Sequence, residues 1–229
     1  CDVLLKDPSN KVVGVGRSAP AITHPNYTHV CADLADTAGL CSGEITEKIF
    51  GSLPSAFAKA ALINNAGLLD TAYVGSFDAP TFAQLMTVNS IAPALLCDAF
   101  VSKLKDAEGT KIVVNVSSGA AAKNYDGWAA YCSSKAALDR FSEVMQKEQE
   151  LRQTGIRVYS VYPGIVDTDM QTHIRSGTVD NFSTLQRFKD MHASGDLWSP
   201  ERSAGRILRI VDAPEQFPDV VIDVRSMAE

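Results

Sequence analysis

The chain has 229 residues, a mass of 24.6 kDa and a formal charge of −6. With 45% hydrophobic and 21% charged residues it is not a disordered, collagen-like or fibrous chain. The acidic balance excludes broad binding to nucleic acid or to an anionic membrane surface, because both need a net basic face.

Residues 11–15 (KVVGV) are short and β-branched and follow the turn Asp7-Pro8-Ser9-Asn10, so they predict a first strand. Residues 27–32 predict a second. A helical pattern covers 46–59, and ALIN at 61–64 predicts a third strand running into Asn64-Asn65-Ala66-Gly67. Helical periodicity then occupies 79–105. The strands KIVVNV at 111–116 and IRVYSVY at 156–162 flank a third helical segment, 129–152. Residues 172–199 are more polar, rich in turn formers and irregular in period; they read as a substrate lid or as surface helices.

Short, nearly all-apolar strands separated by helices of this length predict a parallel sheet covered on both faces. The expected class is α/β, a doubly wound sheet, with residues 1–229 forming one domain. Ligands in such a sheet sit at the carboxyl ends of the strands. Gly16-Arg17-Ser18, Asp33-Leu34, Asn65-Ala66-Gly67, Ser117-Ser118-Gly119 and Pro163-Gly164 all follow predicted strands, so five consecutive strands end in small or polar clusters.

The cysteines (Cys1, Cys31, Cys41, Cys97, Cys132) are odd in number and scattered, which favours reduced thiols and a cytoplasmic setting over a disulfide framework. The histidines (His24, His29, His173, His192) have no metal-ligand spacing, and no metal is expected. The longest apolar stretch, 90–101, is broken by Pro93 and Asp98 and is too short to span a bilayer, so no membrane partner is expected. Nothing near Cys1 reads as a signal peptide.

Tyr131 and Lys135 are four apart on a strongly helical segment and so share a face. Alone, the pair reads equally as a surface helix with an exposed lysine. Ser118 lies thirteen residues earlier, directly after a strand, and Asn89 stands in Thr87-Val88-Asn89-Ser90. With Asn64-Asn65-Ala66-Gly67, Tyr131-Cys132-Ser133-Ser134-Lys135 and Pro163-Gly164-Ile165-Val166-Asp167-Thr168, this combination resembles the short-chain dehydrogenase/reductase family from residue 11 onward. The stretches 127–132 and 163–171 are similar to sepiapterin reductases and fungal benzil reductases.

The resemblance implies a Rossmann-type fold and reduction of a small carbonyl substrate, a ketone or diketone, by hydride from NADP(H). It implies Asn89, Ser118, Tyr131 and Lys135 as catalytic residues: Tyr131 gives a proton to the carbonyl oxygen, Ser118 holds that oxygen, Lys135 lowers the phenol pKa and hydrogen-bonds the nicotinamide ribose, and Asn89 keeps a water-linked proton path open. A phenol has a reference pKa near 10, and a nearby ammonium favours the phenolate. Ser117 is the rival for the serine role, and spacing favours Ser118.

For the cofactor, Arg17 stands where an NAD enzyme places an acid against the ribose 2′-OH, and an arginine there accommodates a 2′-phosphate. Ser18 adds a hydroxyl; a merely solvated arginine is the alternative. Asp33 and Leu34 would flank the adenine and Asn65, Ala66 and Gly67 its ribose. Pro163, Gly164, Val166 and Thr168 would frame the nicotinamide, with Met170 closing over it. Ser118, Gly119, Trp128 and Gly164 would line the substrate pocket. Asp223 falls near an acid that anchors the substrate in sepiapterin reductases, but a solvated strand-end aspartate is the simpler reading. A homodimer through the 79–105 and 129–152 helices is also implied.

The family's glycine-rich turn after its first strand is absent from these 229 residues. Gly14-Val15-Gly16-Arg17-Ser18-Ala19 imitates it but lacks the third glycine and a following amphipathic helix. Residues 1–6 read as the end of the helix that follows such a turn, so a strand, the turn and most of a helix, roughly 20–25 residues, are expected to precede Cys1. Without them, a catalytically idle Rossmann-fold binding protein is the alternative. A serine hydrolase would need a G-x-S-x-G elbow, which Gly16-Arg17-Ser18-Ala19-Pro20 does not supply.

Overall fold

A computed structural model describes residues 1–18, 20–51, 53–54 and 56–228. Six strands form in chain order: β1 (Val12–Gly16), β2 (Tyr27–Cys31), β3 (Lys59–Asn64), β4 (Thr110–Val116), β5 (Ile156–Tyr162) and β6 (Val221–Asp223). Every pairing is parallel, as expected, but the strands divide into two sheets, β1-β2 and β3-β4-β5-β6. Between the sheets, β1 and β3 do not pair. One apolar core still joins them: Val15 and Val30 pack on the cluster that holds Val113 and Val158.

The helices are α1 (Thr37–Cys41), α2 (Glu44–Phe50), α3 (Ala79–Met86), α4 (Ala92–Leu104), α5 (Ala129–Arg152), α6 (Asp169–Arg175), α7 (Leu185–Ala193) and α8 (Pro200–Asp212). Strand β4 shows why the sequence reads as a continuous apolar run. Side chains alternate across a strand, and here Val113 faces α4 and α5 while Ile112, Val114 and Val116 face α8. Both faces are covered, so no polar alternation survives.

Local chemistry sets several helix boundaries. Asp78 caps α3 by accepting from Thr81 N at 3.0 Å, with Pro80 in the first turn. Ser199 caps α8 in the same way, through Arg202 N at 3.2 Å with Pro200 following. The expected helix at 46–59 is shorter: α2 ends at Phe50 and Lys59 already pairs in β3. Gly51 and Pro54 interrupt it, since proline disfavours helical geometry in the residue before it. Leu53 and Phe57 nevertheless pack on the core, which explains the apolar pattern beyond the helix. Helix α8 had no counterpart among the sequence-predicted elements, whereas β6 ends at Asp223 as the strand-end reading of that residue implied.

A wide π-helical turn, Thr87–Ile91, joins α3 to α4 in one continuous helix from Ala79 to Leu104. By length and composition this helix could cross a membrane. In the fold it is a core helix: Leu96, Cys97, Phe100 and Leu104 pack on Val113 and Val158. At its end, buried Lys111 donates to the carbonyls of Ala107 at 2.6 Å and Lys105 at 3.3 Å, so the charge meets helix-terminal acceptors.

Candidate active site

The site forms where α5 crosses the carboxyl ends of β4 and β5. Tyr131 and Lys135 occupy its first two turns and are buried, which removes the alternative of an exposed surface pair. Lys135 Nζ lies 5.9 Å from the centre of the Tyr131 ring and donates to the Val116 carbonyl at 2.8 Å. The two serines after β4 point to different partners. Ser117 Oγ donates to the Lys135 carbonyl at 3.3 Å, anchoring α5 to the strand end. The Ser118 hydroxyl acts on the Tyr131 phenol and accepts from Ala120 N at 3.1 Å. Ser118 is therefore the serine that faces the tyrosine.

Asn89 sits in the π turn and is fully buried. Its amide accepts from Leu68 N at 2.8 Å and donates to Leu68 O at 2.8 Å and to Ser134 Oγ at 3.0 Å. Ser134 Oγ in turn donates to the Tyr131 carbonyl at 2.8 Å. One side chain thus ties the loop after β3 to the turn of α5 that carries Tyr131. A π bulge is a recurring device at functional sites because it re-aims one side chain out of helical phase.

Burial dominates the electrostatics. It pushes the Tyr131 phenol above its ordinary value, and the Ser118 hydroxyl opposes this. Burial also pushes Lys135 down to about 8, and the Asp139 carboxylate opposes it. The ammonium is directed to the Val116 carbonyl, and the phenol stays protonated, the state a proton donor needs.

Glycines make room around these groups. A Cβ at Gly67 would stand 3.6 Å from Asn89 Oδ1, 3.7 Å from Lys135 Nζ and 3.9 Å from Met170 Cε, so Gly67 and Met170 belong to the same cluster. A Cβ at Gly119 would meet nothing within 4 Å, which marks open space beside Ser118. Trp128 is edge-on to Tyr131 at 5.7 Å and its buried indole N–H has no protein partner among the described residues.

The 163–168 stretch forms a second group. Ser203 Oγ donates to Pro163 O at 2.8 Å, Trp198 N to Ile165 O at 2.9 Å, and Asp167 N to Trp198 O at 2.9 Å. Val166 bridges to Trp198. Gly164 has φ of +82°, a conformation that favours glycine, and a Cβ there would touch the Trp198 ring at 3.4 Å. Thr168 is the N-cap residue of α6, its hydroxyl donating to Val166 O at 3.4 Å.

Arg17, Ser18, Asp33 and Leu34 belong to a third group, at the ends of β1 and β2. Arg17, Ser18 and Asp33 are exposed, while Leu34 packs on the core. Cys31 Sγ donates to Arg17 O at 3.4 Å, and Asp33 accepts from Ala35 N at 2.9 Å. Asn65 and Ala66 are exposed at the end of β3. The glycines of the apparent fingerprint, at 14 and 16, lie in strand β1 rather than a phosphate loop, and the Tyr27 phenol occupies the space where a Gly14 side chain would lie. The last member of that stretch, Ala19, lies outside the described residues.

Asp223 ends β6, as a strand-end aspartate, and remains partly exposed. It binds the Arg225 guanidinium with both oxygens, Oδ1 accepting from Nε at 2.9 Å, and this pairing holds the carboxyl below its ordinary value. Sequence reasoning also missed Asp139, Ser160 and Tyr162. Ser160 Oγ donates to Asp139 Oδ1 and Tyr162 Oη to Asp139 Oδ2, both at 2.6 Å. Their clue was available: Asp139 continues the four-residue spacing of Tyr131 and Lys135.

A parallel doubly wound architecture with a buried Tyr-Lys pair, a facing serine and an anchored asparagine at its carboxyl edge defines a dinucleotide-type oxidoreductase scaffold. The profile described as short chain dehydrogenase matches residues 44–178, and the chain belongs to the short chain dehydrogenase family. It is 32% identical to benzil reductase ((S)-benzoin forming) of Bacillus subtilis over 90% of this chain and 85% of that protein. It is 29% identical to sepiapterin reductase of Bos taurus over 80% of this chain and 67% of that one. The crystal structure of a short chain dehydrogenase/reductase from Saccharomyces cerevisiae superposes with a TM-score of 0.81 at 26% identity, covering 98% of this chain and 90% of that one. Membership supports an oxidoreductase that uses a nicotinamide cofactor and a small-molecule substrate.

Proposed function

We propose that the chain is an NADP-dependent carbonyl reductase that converts a ketone or diketone to an alcohol. The observation that carries this reading is the convergence of Ser118, Tyr131, Lys135 and Asn89 beside the open space at Gly119. The residues fit a nicotinamide cofactor: Gly67 leaves a gap bounded by Asn89, Lys135 and Met170 that a side chain would fill. When bound, the cofactor supplies hydride.

The remaining steps fall to the chain's own groups. Ser118 orients the carbonyl oxygen. Tyr131, kept neutral by burial, gives that oxygen its proton from Oη. Lys135, charged below a pH of about 8, stabilises the phenolate left behind and hydrogen-bonds the cofactor ribose. Asn89 keeps the Leu68 loop and the Tyr131 turn in fixed relation. The buried indole N–H of Trp128 is a donor for a second substrate oxygen, which favours a diketone. The names of the benzil and sepiapterin reductase relatives support the same substrate class.

Arg17 and Ser18, exposed at the end of β1, support a 2′-phosphate and hence NADP. The 172–199 segment, seated on Trp128 through Phe182 and Phe188, covers the substrate side. Exposed Ile91, Val144 and Leu151 on the long helices support a homodimer. An idle binding protein is the second reading, favoured by the break between the β1-β2 and β3-β4-β5-β6 sheets.

The test is NADPH consumption with benzil by the full-length protein and by Tyr131→Phe. Removing the proton donor is expected to lower kcat by about a hundredfold or more with an unchanged circular-dichroism spectrum. Equal rates in the two proteins overturn the mechanism, and no turnover in either favours the idle protein.

A further inference from the structure

We infer that Asp139 is a positioning residue that keeps Lys135 charged, acting from one helical turn away without touching substrate or cofactor. Tyr131, Lys135 and Asp139 are spaced by four on α5 and so line one face of the helix. The carboxylate is held in place: Ser160 Oγ donates to one oxygen and Tyr162 Oη to the other, each at 2.6 Å. Both donors belong to β5, and Ser160 is fully buried, so Asp139 is pinned to the sheet that carries the site.

Lys135 needs such a partner. It is only 3% exposed, and its hydrogen-bond acceptor among the described residues is the neutral carbonyl of Val116. A buried ammonium without a counter-charge tends to release its proton. Asp139 is the carboxylate that opposes this tendency. The neighbouring groups leave that role to it. Tyr131, ahead of Lys135, is neutral. Tyr162 is pushed far above its ordinary value by burial and by its bond to Asp139, so it remains a donor across the working pH range. Glu143, one turn further along α5, and Asp223 of β6 act on Tyr162, and Asp223 is bound by Arg225.

The same hydrogen bonds could simply fasten α5 to β5, and the test separates the two roles. Asp139→Asn keeps the shape and one accepting oxygen and removes the charge, its amide NH2 donating to the second hydroxyl, which can turn to accept. The Lys135 ammonium, followed by nitrogen NMR without cofactor or substrate and assigned by its loss in Lys135→Met, is expected to titrate about one pH unit lower. The alkaline limb of kcat should move by the same amount, while the rate on the acid plateau stays within about twofold. Asp139→Glu should restore the wild-type titration. Asp139→Ser, which retains a hydroxyl partner without charge, should reproduce the shift and serves if Asp139→Asn does not fold. A uniform loss of rate with an unmoved limb, or an unmoved Lys135 titration, overturns the inference. The kinetic arm rests on the reductase reading. A wild-type protein that reduces no carbonyl sinks that reading, while the NMR titration still decides the role of Asp139.

Discussion

Tyr131 and Lys135 show how burial, rather than mutual attraction, sets the chemistry of single residues in this site. Each is displaced toward its neutral form, the phenol upward and the ammonium to about 8. Spacing alone marked both as partners on one face. Sequence could not reveal that the Val116 carbonyl claims the ammonium. Arg17 carries the residue-scale prediction on cofactor choice. Arg17→Ala should raise the KM for NADPH about tenfold or more and leave the KM for NADH nearly unchanged, because a charge-assisted hydrogen bond contributes roughly 1.5–3 kcal/mol. Parallel kinetics with the two cofactors check it, and an equal effect on both would assign Arg17 to the solvent.

At the scale of elements, the 172–199 segment illustrates what periodicity hides. It contains helices α6 and α7, and Phe182, Leu185 and Phe188 are buried in one aromatic cluster with Trp128 and Tyr131. Its attachment is local. Asp126 accepts from Ser183 N and Ser183 Oγ, both at 2.8 Å, and Gly127 adopts φ of +72° with the Asn181 carbonyl where a Cβ would lie. Asp126→Ala should lower Tm by about 2–4 °C and speed amide exchange across residues 178–190. Gly127→Ala should do more damage, since it adds backbone strain to a direct clash. Hydrogen-exchange mass spectrometry reads both. The Ser183 bonds hold the Asp126 carboxyl below its ordinary value, so this contribution is present above the usual carboxylate range and fades as pH falls through the depressed value.

Across the whole molecule, a buried lysine opposes stability. The unfolded chain keeps Lys135 protonated up to the ordinary 10.5, whereas the folded chain releases that proton at about 8. Below pH 8 the folded state therefore carries the full cost of the buried charge, and stability rises as pH climbs from 8 toward 10.5. Lys135→Met should stabilise the fold at neutral pH by on the order of 2 kcal/mol while abolishing reduction. Its advantage should shrink steadily across that pH window. Urea unfolding at several pH values checks the trend, and a destabilised variant at pH 7 would contradict it.

The sequence by itself determined the parallel α/β class, four of the strand positions nearly to the residue, and the Tyr131, Lys135, Ser118 and Asn89 constellation. Those features depend on local periodicity and on spacing along one strand or helix, which a linear chain records directly. Tertiary structure alone decided the division into two sheets. It also decided that Ser160 and Tyr162 of β5 hold the Asp139 carboxylate. The reason is physical: strand pairing, burial and the hydrogen bonds from β5 to Asp139 depend on groups far apart in sequence, and their energies exist only once the core brings them together.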